Sequence, residues 1–242
     1  DAIANASSIT LVDDPTAVSP SEESINVLQY LAIYAGQDTT DSNTLTFQPK
    51  IEDSYENLET EIDPDDAYDA VDQASEITIS DANITTEEYK TIADAAGNAS
   101  SITYAISDAY SDINTQITNN ADESGVLAAL ENATSIEISD NNVNLTQFDT
   151  VYDAIGTFSG TLTYNISDDV AALETRAGDD DNDALANATG VAITSTDGTA
   201  TDVDKYNTIN TAASNATATV DTLTDSASDL EGSIEQDDDG ND

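Results

Sequence analysis

The chain contains no cysteine, histidine, methionine or tryptophan, and only four of its 242 residues are basic. Without histidine and cysteine, the Ser-His-Asp and Cys-His arrangements of nucleophilic catalysis cannot form. The formal net charge of −46 excludes nucleic acid as a partner, because phosphate binding depends on Lys and Arg. No apolar run is long enough to span a bilayer, so we expect no membrane insertion. The absence of thiols fits any redox compartment.

Acidic residues are the main excess, since 50 Asp and Glu oppose four Lys and Arg. Repulsion among these charges destabilises a compact state at low ionic strength. The hydrophobic fraction of 38% and a clear periodicity nevertheless predict a folded chain. High salt or divalent cations such as Ca²⁺ must therefore screen or neutralise the negative charge of the Asp and Glu side chains. The sequence leaves both explanations open, salt adaptation and calcium-dependent folding.

The sequence repeats itself four times, with a period of about 60 residues. The first six residues, Asp-Ala-Ile-Ala-Asn-Ala, match Asp-Ala-Leu-Ala-Asn-Ala at 183–188. This register predicts repeats over 1–68, 69–127, 128–182 and 183–242. The acidic stretch 237–242 resembles 179–182, which directly precedes a repeat. We therefore expect either a segment of a longer array or a subunit that stacks end to end with its own copies.

Each repeat is predicted to contain two β-α halves. Alternation of apolar and polar residues indicates strands with one buried face and one wet face lined by Thr and Ser. The first-half strands are predicted at 9–11, 77–79, 136–138 and 191–193. The second-half strands are predicted at 45–47, 102–106, 162–166 and, more weakly, 220–223.

Apolar residues at helical spacing predict one buried helix face in each half. In the first halves this face comprises Leu28/Leu31/Ala35, Tyr89/Ile92/Ala96, Phe148/Val151/Ile155 and Tyr206/Ile209/Ala213, and Gly36, Gly97 and Gly156 are predicted to be left-handed helix stops. In the second halves an Asp precedes an apolar pair and is predicted to cap the helix that follows it: Asp53/Leu58/Ile62, Asp108/Ile113/Ile117, Asp168/Leu173/Ala177 and Asp225/Leu230/Ile234. Thr85 and Glu88 fit a capping box.

These elements predict an α/β fold, a repetitive β-α solenoid with a parallel sheet on one side and helices on the other. Steps of about 30 residues suit parallel strands joined by helical crossovers. The alternating strands disfavour a doubly wound sheet, whose strands are apolar on both faces. A string of small independent α/β domains is the alternative, less favoured because a unit of about 60 residues has only a marginal core.

Acidic clusters recur where one predicted repeat joins the next. Carboxylate and amide oxygens at alternate positions suit Ca²⁺, which prefers hard oxygen ligands in flexible geometry. The candidate calcium ligands are Asp179, Asp181, Asp183, Asp237, Asp239 and Asn241. Neither run continues into a full EF-hand loop, so a solvated acidic turn is the competing interpretation. The Ser-Asp pairs at strand ends offer a stacked cation site or helix caps, and we favour caps: Ser80-Asp81, Ser107-Asp108, Ser139-Asp140 and Ser167-Asp168.

The tripeptide Asn-x-Ser/Thr marks candidate N-glycosylation sites in a secreted protein. It begins at Asn5, Asn83, Asn98, Asn132, Asn144, Asn165, Asn187 and Asn215. A chain this rich in Asn, Ser and Thr also produces such tripeptides by chance.

The motif Ala-x-x-Ile-x-Ile-Ser-Asp occurs at 74–81 and 133–140, and it alternates with Thr-x-Thr-Tyr-x-Ile-Ser-Asp or a close variant at 101–108 and 161–168. This pattern resembles degenerate β-α repeats of large secreted bacterial surface proteins of the S-layer and giant-adhesin type. The resemblance implies a structural surface role, often with Ca²⁺. It carries no catalytic residues across.

We therefore expect a structural protein, located outside the cell or on its surface, that self-assembles head to tail into a surface layer, sheath or filament. The alternative is an adhesin module that binds glycan or another surface through its Thr/Ser sheet face. An enzyme is not expected, because no acid stands out as part of a catalytic carboxylate pair. Ca²⁺ is the one cofactor that the sequence suggests, and copies of the chain are the expected partners.

Overall fold

The computed structural model describes residues 24–35, 48–62, 69–122, 125–179, 183–194, 201–226 and 229. These residues form a mixed α/β fold. The strands are Ser24–Ile25 (β1), Lys50–Asp53 (β2), Glu76–Ile79 (β3), Ile102–Thr103 (β4), Ile106–Asp108 (β5), Ser135–Ile138 (β6), Thr161–Thr163 (β7), Asn165–Asp169 (β8), Gly190–Thr194 (β9) and Ala218–Val220 (β10). The helices are Val27–Ala35 (α1), Tyr55–Thr60 (α2), Ala70–Gln73 (α3), Thr86–Ala95 (α4), Tyr110–Asn120 (α5), Ala128–Glu131 (α6), Leu145–Ala154 (α7), Val170–Gly178 (α8), Asp183–Ala186 (α9) and Val203–Ala212 (α10).

The chain divides into two compact units. The first contains the described residues of Asp1–Ser107, Ala128–Ser135 and Phe158–Gly160, and the second contains those of Asp108–Leu127, Ile136–Thr157 and Thr161–Asp242. The predicted strands at 9–11 and 45–47 lie outside the described residues, as do the helix stop at Gly36 and the apolar pair Leu230/Ile234.

The first unit contains a four-stranded parallel sheet in the order β1-β2-β3-β4. The strand register aligns Ile25, Ile51, Ile77 and Ile102 across the sheet. Ile51 and Ile77 are fully buried, so this isoleucine ladder forms the core beneath the sheet. Neighbouring strands of this sheet are also consecutive among the described strands, so each described strand lies beside its predecessor.

The second unit contains a parallel sheet in the order β8-β9-β10. Ile166, Val191 and Ala218 align across it and are all buried. A third sheet has the order β5-β6-β7. The parallel strands and the helices between them confirm the predicted α/β class.

The strand predicted at 102–106 is interrupted after Thr103. Ile102 pairs with Ile77, whereas Ile106 pairs with Ile84 through an isolated bridge. The partners Ile77 and Ile84 lie farther apart along the chain than Ile102 and Ile106 do. Regular strand pairing therefore stops between Ile102 and Ile106. The strand predicted at 162–166 is likewise divided into β7 and β8.

Strand β2 was not predicted, because Lys50-Ile51-Glu52-Asp53 has a single apolar residue. Its strand state depends on tertiary contacts. Ile51 belongs to the isoleucine ladder, and the Lys50 ammonium lies 3.0 Å from the Glu76 carboxylate on the neighbouring strand. Pairing thus overrides the low strand propensity of charged residues.

The predicted helix faces are buried in most helices. Phe148, Val151 and Ile155 are buried along α7. Leu58, Ile113 and Leu173 are fully buried in the second-half helices α2, α5 and α8.

The predicted face of α1 was wrong by one residue. Leu28 is 73% exposed, whereas Val27 and Tyr30 are buried. The spacing Val27-x-x-Tyr30 aligns with Thr86-x-x-Tyr89 of α4, and an almost uniformly apolar helix offers too little polar contrast to fix that register from sequence.

Two of the glycines that were predicted to stop helices are described, and their backbone conformations differ. Gly156 has φ of 57°, the left-handed conformation that was predicted. Gly97 is not left-handed. A Cβ atom there would lie 2.3 Å from Oδ1 of Asp72, so a larger residue requires the Asp72 side chain to shift.

Candidate functional site

Six aspartates stand at the ends of strands or directly after them, and we call them the strand-end aspartates. They are Asp53, Asp81, Asp108, Asp140, Asp168 and Asp225. An Ile-Ser pair precedes Asp81, Asp108, Asp140 and Asp168, whereas Asp53 follows Ile51-Glu52 and Asp225 follows the bridge residue Leu223. Their side chains hold backbone N–H groups at the starts of helices.

The carboxylate of Asp53 serves two successive helices. Its Oδ2 accepts the N–H of Val27, the first residue of α1, at 3.0 Å. Its Oδ1 accepts the N–H of Ser54 at 2.9 Å and the side-chain amide of Asn57 at 2.7 Å. Ser54 is the N-cap of α2, so one side chain joins the beginnings of two helices.

The same arrangement recurs in the second unit. Asp168 Oδ2 accepts the N–H of Leu145 at 3.0 Å, and Oδ1 accepts that of Asp169 at 2.8 Å. Asp225 accepts from Val203 at 3.0 Å and from Ser226 at 2.7 Å.

The two aspartates that follow first-half strands also accept an N–H group from a residue earlier in the chain. Asp81 Oδ2 accepts from Tyr55, and Asp140 Oδ2 accepts from Tyr110, both at 2.5 Å. Across these five bonds the aspartate lies 22 to 30 residues after the N–H group that it accepts. A strand-end carboxylate thus binds the helix of the preceding β-α step.

The capping prediction was right in its chemistry and wrong in its helix. The aspartates accept N–H groups at helix starts, as predicted. However, the first-turn N–H groups that they accept belong to the helix before the aspartate, not to the helix after it. The helices that follow have N-caps of their own: Ser54 for α2, Ala109 for α5 and Asp169 for α8. The sequence contained no signal for this choice, because the two partners are distant along the chain.

The capping box at Thr85 and Glu88 is confirmed. The Thr85 N–H donates to Glu88 Oε2 at 2.7 Å, and the Glu88 N–H donates to Thr85 Oγ1 at 3.2 Å. Asn144 and Gln147 form a second box that was not predicted, because Asn with Gln is a less familiar pair than Ser or Thr with Glu.

Each of the four basic side chains forms an ion pair. The pairs are Lys50–Glu76, Lys90–Asp94, Arg176–Asp149 and Lys205–Asp202, with N–O distances from 2.6 to 3.2 Å. These four pairs use other acids, whereas the carboxylates of the strand-end aspartates accept backbone N–H groups. For Asp225, the N–H groups of Val203 and Ser226 lower the pKa of the carboxyl below its ordinary value.

Only two of the candidate calcium ligands are described, Asp179 and Asp183; Asp181, Asp237, Asp239 and Asn241 lie outside the described residues. Asp179 is exposed at the end of α8, and the carbonyl of Asp183 accepts the Tyr164 hydroxyl at 3.2 Å. Within the described ranges, no three acidic side chains come together as a metal site.

Two aspartates near the other predicted junctions between repeats have local structural roles. Asp69 is the N-cap of α3, and its Oδ1 accepts the N–H of Val71 at 2.7 Å. Asp122 Oδ1 accepts the N–H of Val126 at 3.0 Å and closes a turn.

Two buried tyrosines connect successive steps, and sequence reasoning missed their role. The Tyr104 hydroxyl donates to the carbonyls of Ala128 at 3.3 Å and Ala129 at 3.1 Å. The Tyr164 hydroxyl donates to the carbonyls of Asp183 and Ala184, both at 3.2 Å. Burial raises the pKa of both phenols well above the ordinary range. The Thr-Tyr pair that both segments share, at 103–104 and 163–164, was the available signal.

The candidate glycosylation sites differ in their surroundings. Asn5 lies outside the described residues, Asn165 is half-buried, and Asn83, Asn98, Asn132, Asn144, Asn187 and Asn215 are exposed. Several of the Ser/Thr hydroxyls have structural partners, since Thr134 donates to the Tyr104 carbonyl at 2.6 Å and Thr189 donates to the Tyr164 carbonyl at 2.7 Å. Fold stabilisation therefore explains part of the recurrence of this tripeptide.

No protein-family model matches the chain, and no curated protein matches it. None of the helices in the described ranges combines the length and hydropathy that a bilayer crossing requires.

Proposed function

We propose that this chain is a structural protein outside the cell, whose β-α steps stack as one solenoid and serve as the building block of a surface layer, sheath or filament. The single observation that carries the proposal is the set of strand-end aspartates, which bond the starts of α1, α2, α5, α7 and α10 to the step that follows each of them. The same chemistry recurs in both compact units.

The bonds of these side chains favour a scaffold over a catalyst. Asp53, Asp168 and Asp225 each engage both carboxylate oxygens with protein N–H groups, which leaves little capacity for a substrate. The basic side chains are paired as well. A protein whose polar groups mainly bind neighbouring steps gains stability from each added step, as repeat proteins do.

The strand order supports the solenoid. In the first unit each strand pairs in parallel with the next strand along the chain, and the isoleucine ladder continues from β1 to β4. A further step added in the same way would extend both the parallel pairing and the apolar column by one strand. A head-to-tail contact of this kind does not close on itself, so it propagates as a fibre.

The outer face of the first-unit sheet is the reason for preferring this role to an adhesin. Across that face, Ser24, Lys50 and Glu76 align, and Glu52, Thr78 and Thr103 align beside them. Glu52 accepts the Ser24 hydroxyl at 2.7 Å, and Lys50 pairs with Glu76. Charged pairs interrupt the regular hydroxyl array that binding to a repetitive glycan or mineral surface would favour.

Electron microscopy and light scattering of the purified chain test the proposal. We expect filaments or sheets once the charge is neutralised, either by molar NaCl or by millimolar CaCl₂. Dissociation by EDTA at constant ionic strength would assign neutralisation to divalent cations, and persistence would assign it to salt. A monomer under every condition that also binds a glycan array would contradict the structural role and support the adhesin.

A further inference from the structure

Two Asn-x-Ser/Thr tripeptides occupy the same position in the fold but differ in their bonds. Ala96-Gly97-Asn98-Ala99-Ser100 follows α4 and precedes β4, and Ala213-Ser214-Asn215-Ala216-Thr217 follows α10 and precedes β10. In each, the Asn is exposed in the turn between helix and strand. The pair provides an internal comparison between two chemically similar sites.

At the first position both polar side chains are used to hold the fold. The side-chain amide of Asn98 donates to the carbonyl of Asp72 at 2.7 Å. The Ser100 hydroxyl donates to the carbonyl of Ser75 at 3.0 Å. Asp72 lies in the short helix α3, so these bonds tie the turn to the preceding step.

At the second position a different side chain takes over that bond. Ala186 holds in α9 the place that Asp72 holds in α3, and its carbonyl accepts the Ser214 hydroxyl at 3.2 Å. Gly97, the counterpart of Ser214, has no hydroxyl to offer. Because Ser214 satisfies the carbonyl, the Asn215 amide is not required there, and neither Asn215 nor Thr217 has a side-chain bond within the described residues.

The turn that carries Asn215 is anchored on both sides. The Ala216 N–H donates to the Ala213 carbonyl at 3.0 Å, which places Ser214 and Asn215 in the middle of the turn. Ala213 and Ala218 are buried. The Asn210 side chain also accepts the Ala218 N–H at 2.9 Å. A fixed base thus presents the exposed Asn215 amide and the exposed Thr217 hydroxyl to solvent.

The remaining described tripeptides lack this combination. Asn132 donates to the Ala128 carbonyl at 3.1 Å, and Asn144 is the N-cap of α7. Asn165 is half-buried in β8, and the hydroxyls that belong to Asn83 and Asn187 take part in the capping box and in the bond to Tyr164.

We infer that Asn215 is an attachment site for an N-linked glycan, an inference that rests on the proposed location outside the cell. The donor class is a sugar whose anomeric carbon is bonded to a phosphate leaving group. The Asn215 Nδ2 forms a bond to that carbon while the bond from the carbon to the phosphate oxygen breaks. The phosphate leaves with the electron pair, and the amide proton passes to a base of the transferase.

The first experiment supplies folded, unmodified chain to a purified oligosaccharyltransferase and its lipid-linked donor, with glycopeptides quantified by mass spectrometry. We expect occupancy at Asn215 at least about fivefold above that at Asn98, since Asn98 must first give up a hydrogen bond. Ser214→Gly should lower the occupancy of Asn215 toward that of Asn98, and Ser214→Thr should preserve it. Thr217→Ala should abolish it, and thermal melts of each variant confirm that the fold is retained.

Equal occupancy at Asn98 and Asn215, or no effect of Ser214→Gly, would overturn the inference whatever the protein's function. The second experiment maps glycopeptides in native protein from the cell surface. Surface protein with a bare Asn215 overturns this inference alone. Protein found only inside the cell overturns the proposed function and this inference together.

Discussion

The carboxylate of Asp168 accepts the backbone N–H of Leu145, which lies 23 residues earlier in the chain, at 3.0 Å. Leu145 is the first residue of α7 and is buried, so water does not readily replace this acceptor. The second oxygen of Asp168 accepts the N–H of Asp169, the N-cap of α8. A single side chain therefore determines how two helix starts are placed relative to one strand.

Asp168→Ala should lower the free energy of unfolding by about 1–3 kcal/mol, because two N–H groups lose their acceptor. Urea denaturation of the two proteins measures the change. Asp153→Ala is the matched control, since it removes the same charge from an exposed position on α7. Equal effects of the two substitutions would mean that Asp168 acts through net charge alone.

Ile77→Ala should cost about 2–5 kcal/mol, because it opens a cavity in the isoleucine ladder. Leu28→Ala removes an equally large side chain that is 73% exposed, and we expect a change within about 0.5 kcal/mol. Urea denaturation of the two variants gives the comparison. A large loss in the Leu28 variant would show that this side chain is covered in solution.

Tyr164→Phe should destabilise the protein by about 1 kcal/mol, since the hydroxyl no longer satisfies the carbonyls of Asp183 and Ala184. Tyr152→Phe is the control, because Tyr152 is 44% exposed. Thermal melts at pH 7 compare the two. Destabilisation by the Tyr152 change alone would contradict the assigned role of Tyr164.

The two buried phenols also predict alkaline unfolding. Burial raises the folded pKa of Tyr104 and Tyr164 above the ordinary value of 10.0. Their contribution to stability is present below pH 10.0 and is lost as the pH rises above it. Absorbance at about 295 nm should show these two phenols ionising together with unfolding, whereas ionisation without unfolding would contradict their burial.

The carboxyl of Asp225 should titrate below its ordinary value of 3.8, because two backbone N–H groups favour the charged form. A folded pKa that is depressed contributes stability above pH 3.8, and this contribution is lost as the pH falls toward the folded pKa. Carbon-detected NMR titration of the side-chain carboxyl measures the pKa directly. In Val203→Pro, which removes one of the two N–H donors, the pKa should rise, and an unchanged pKa would rule out the backbone origin of the shift.

The local elements were predictable where the pattern is strong. The alternation in Ile77-Thr78-Ile79 and the helical spacing of Phe148 and Val151 each depend on a few adjacent residues, and the structure confirms both. Leu28 was predicted to be buried but is exposed. This error has a local cause as well, since α1 is apolar on nearly every side. Strand β2 could not be found because its single Ile gains strand structure only by pairing with β1 and β3.

The site was predictable in composition but not in connectivity. The tripeptide Ile-Ser-Asp indicated that an aspartate at a strand end accepts helix N–H groups. Whether Asp168 binds Leu145 or the helix after it depends on how neighbouring steps are aligned, and this alignment comes from long-range packing. The roles of Asp181 and Asn241 as calcium ligands stay predictions, which metal titration of the full chain would test.

The strand-end aspartates also affect how this gene can change over generations. The distance from a bonded N–H group to its aspartate varies from 22 to 30 residues, while the bond itself stays at 2.5 to 3.0 Å. Differences in the length of a step, such as the six residues of α2 and the eleven of α5, therefore leave the bond intact. In the proposed solenoid, duplication or loss of a whole step at matching points would leave an aspartate facing a helix start, so unequal recombination would alter the length of the protein while the fold survives.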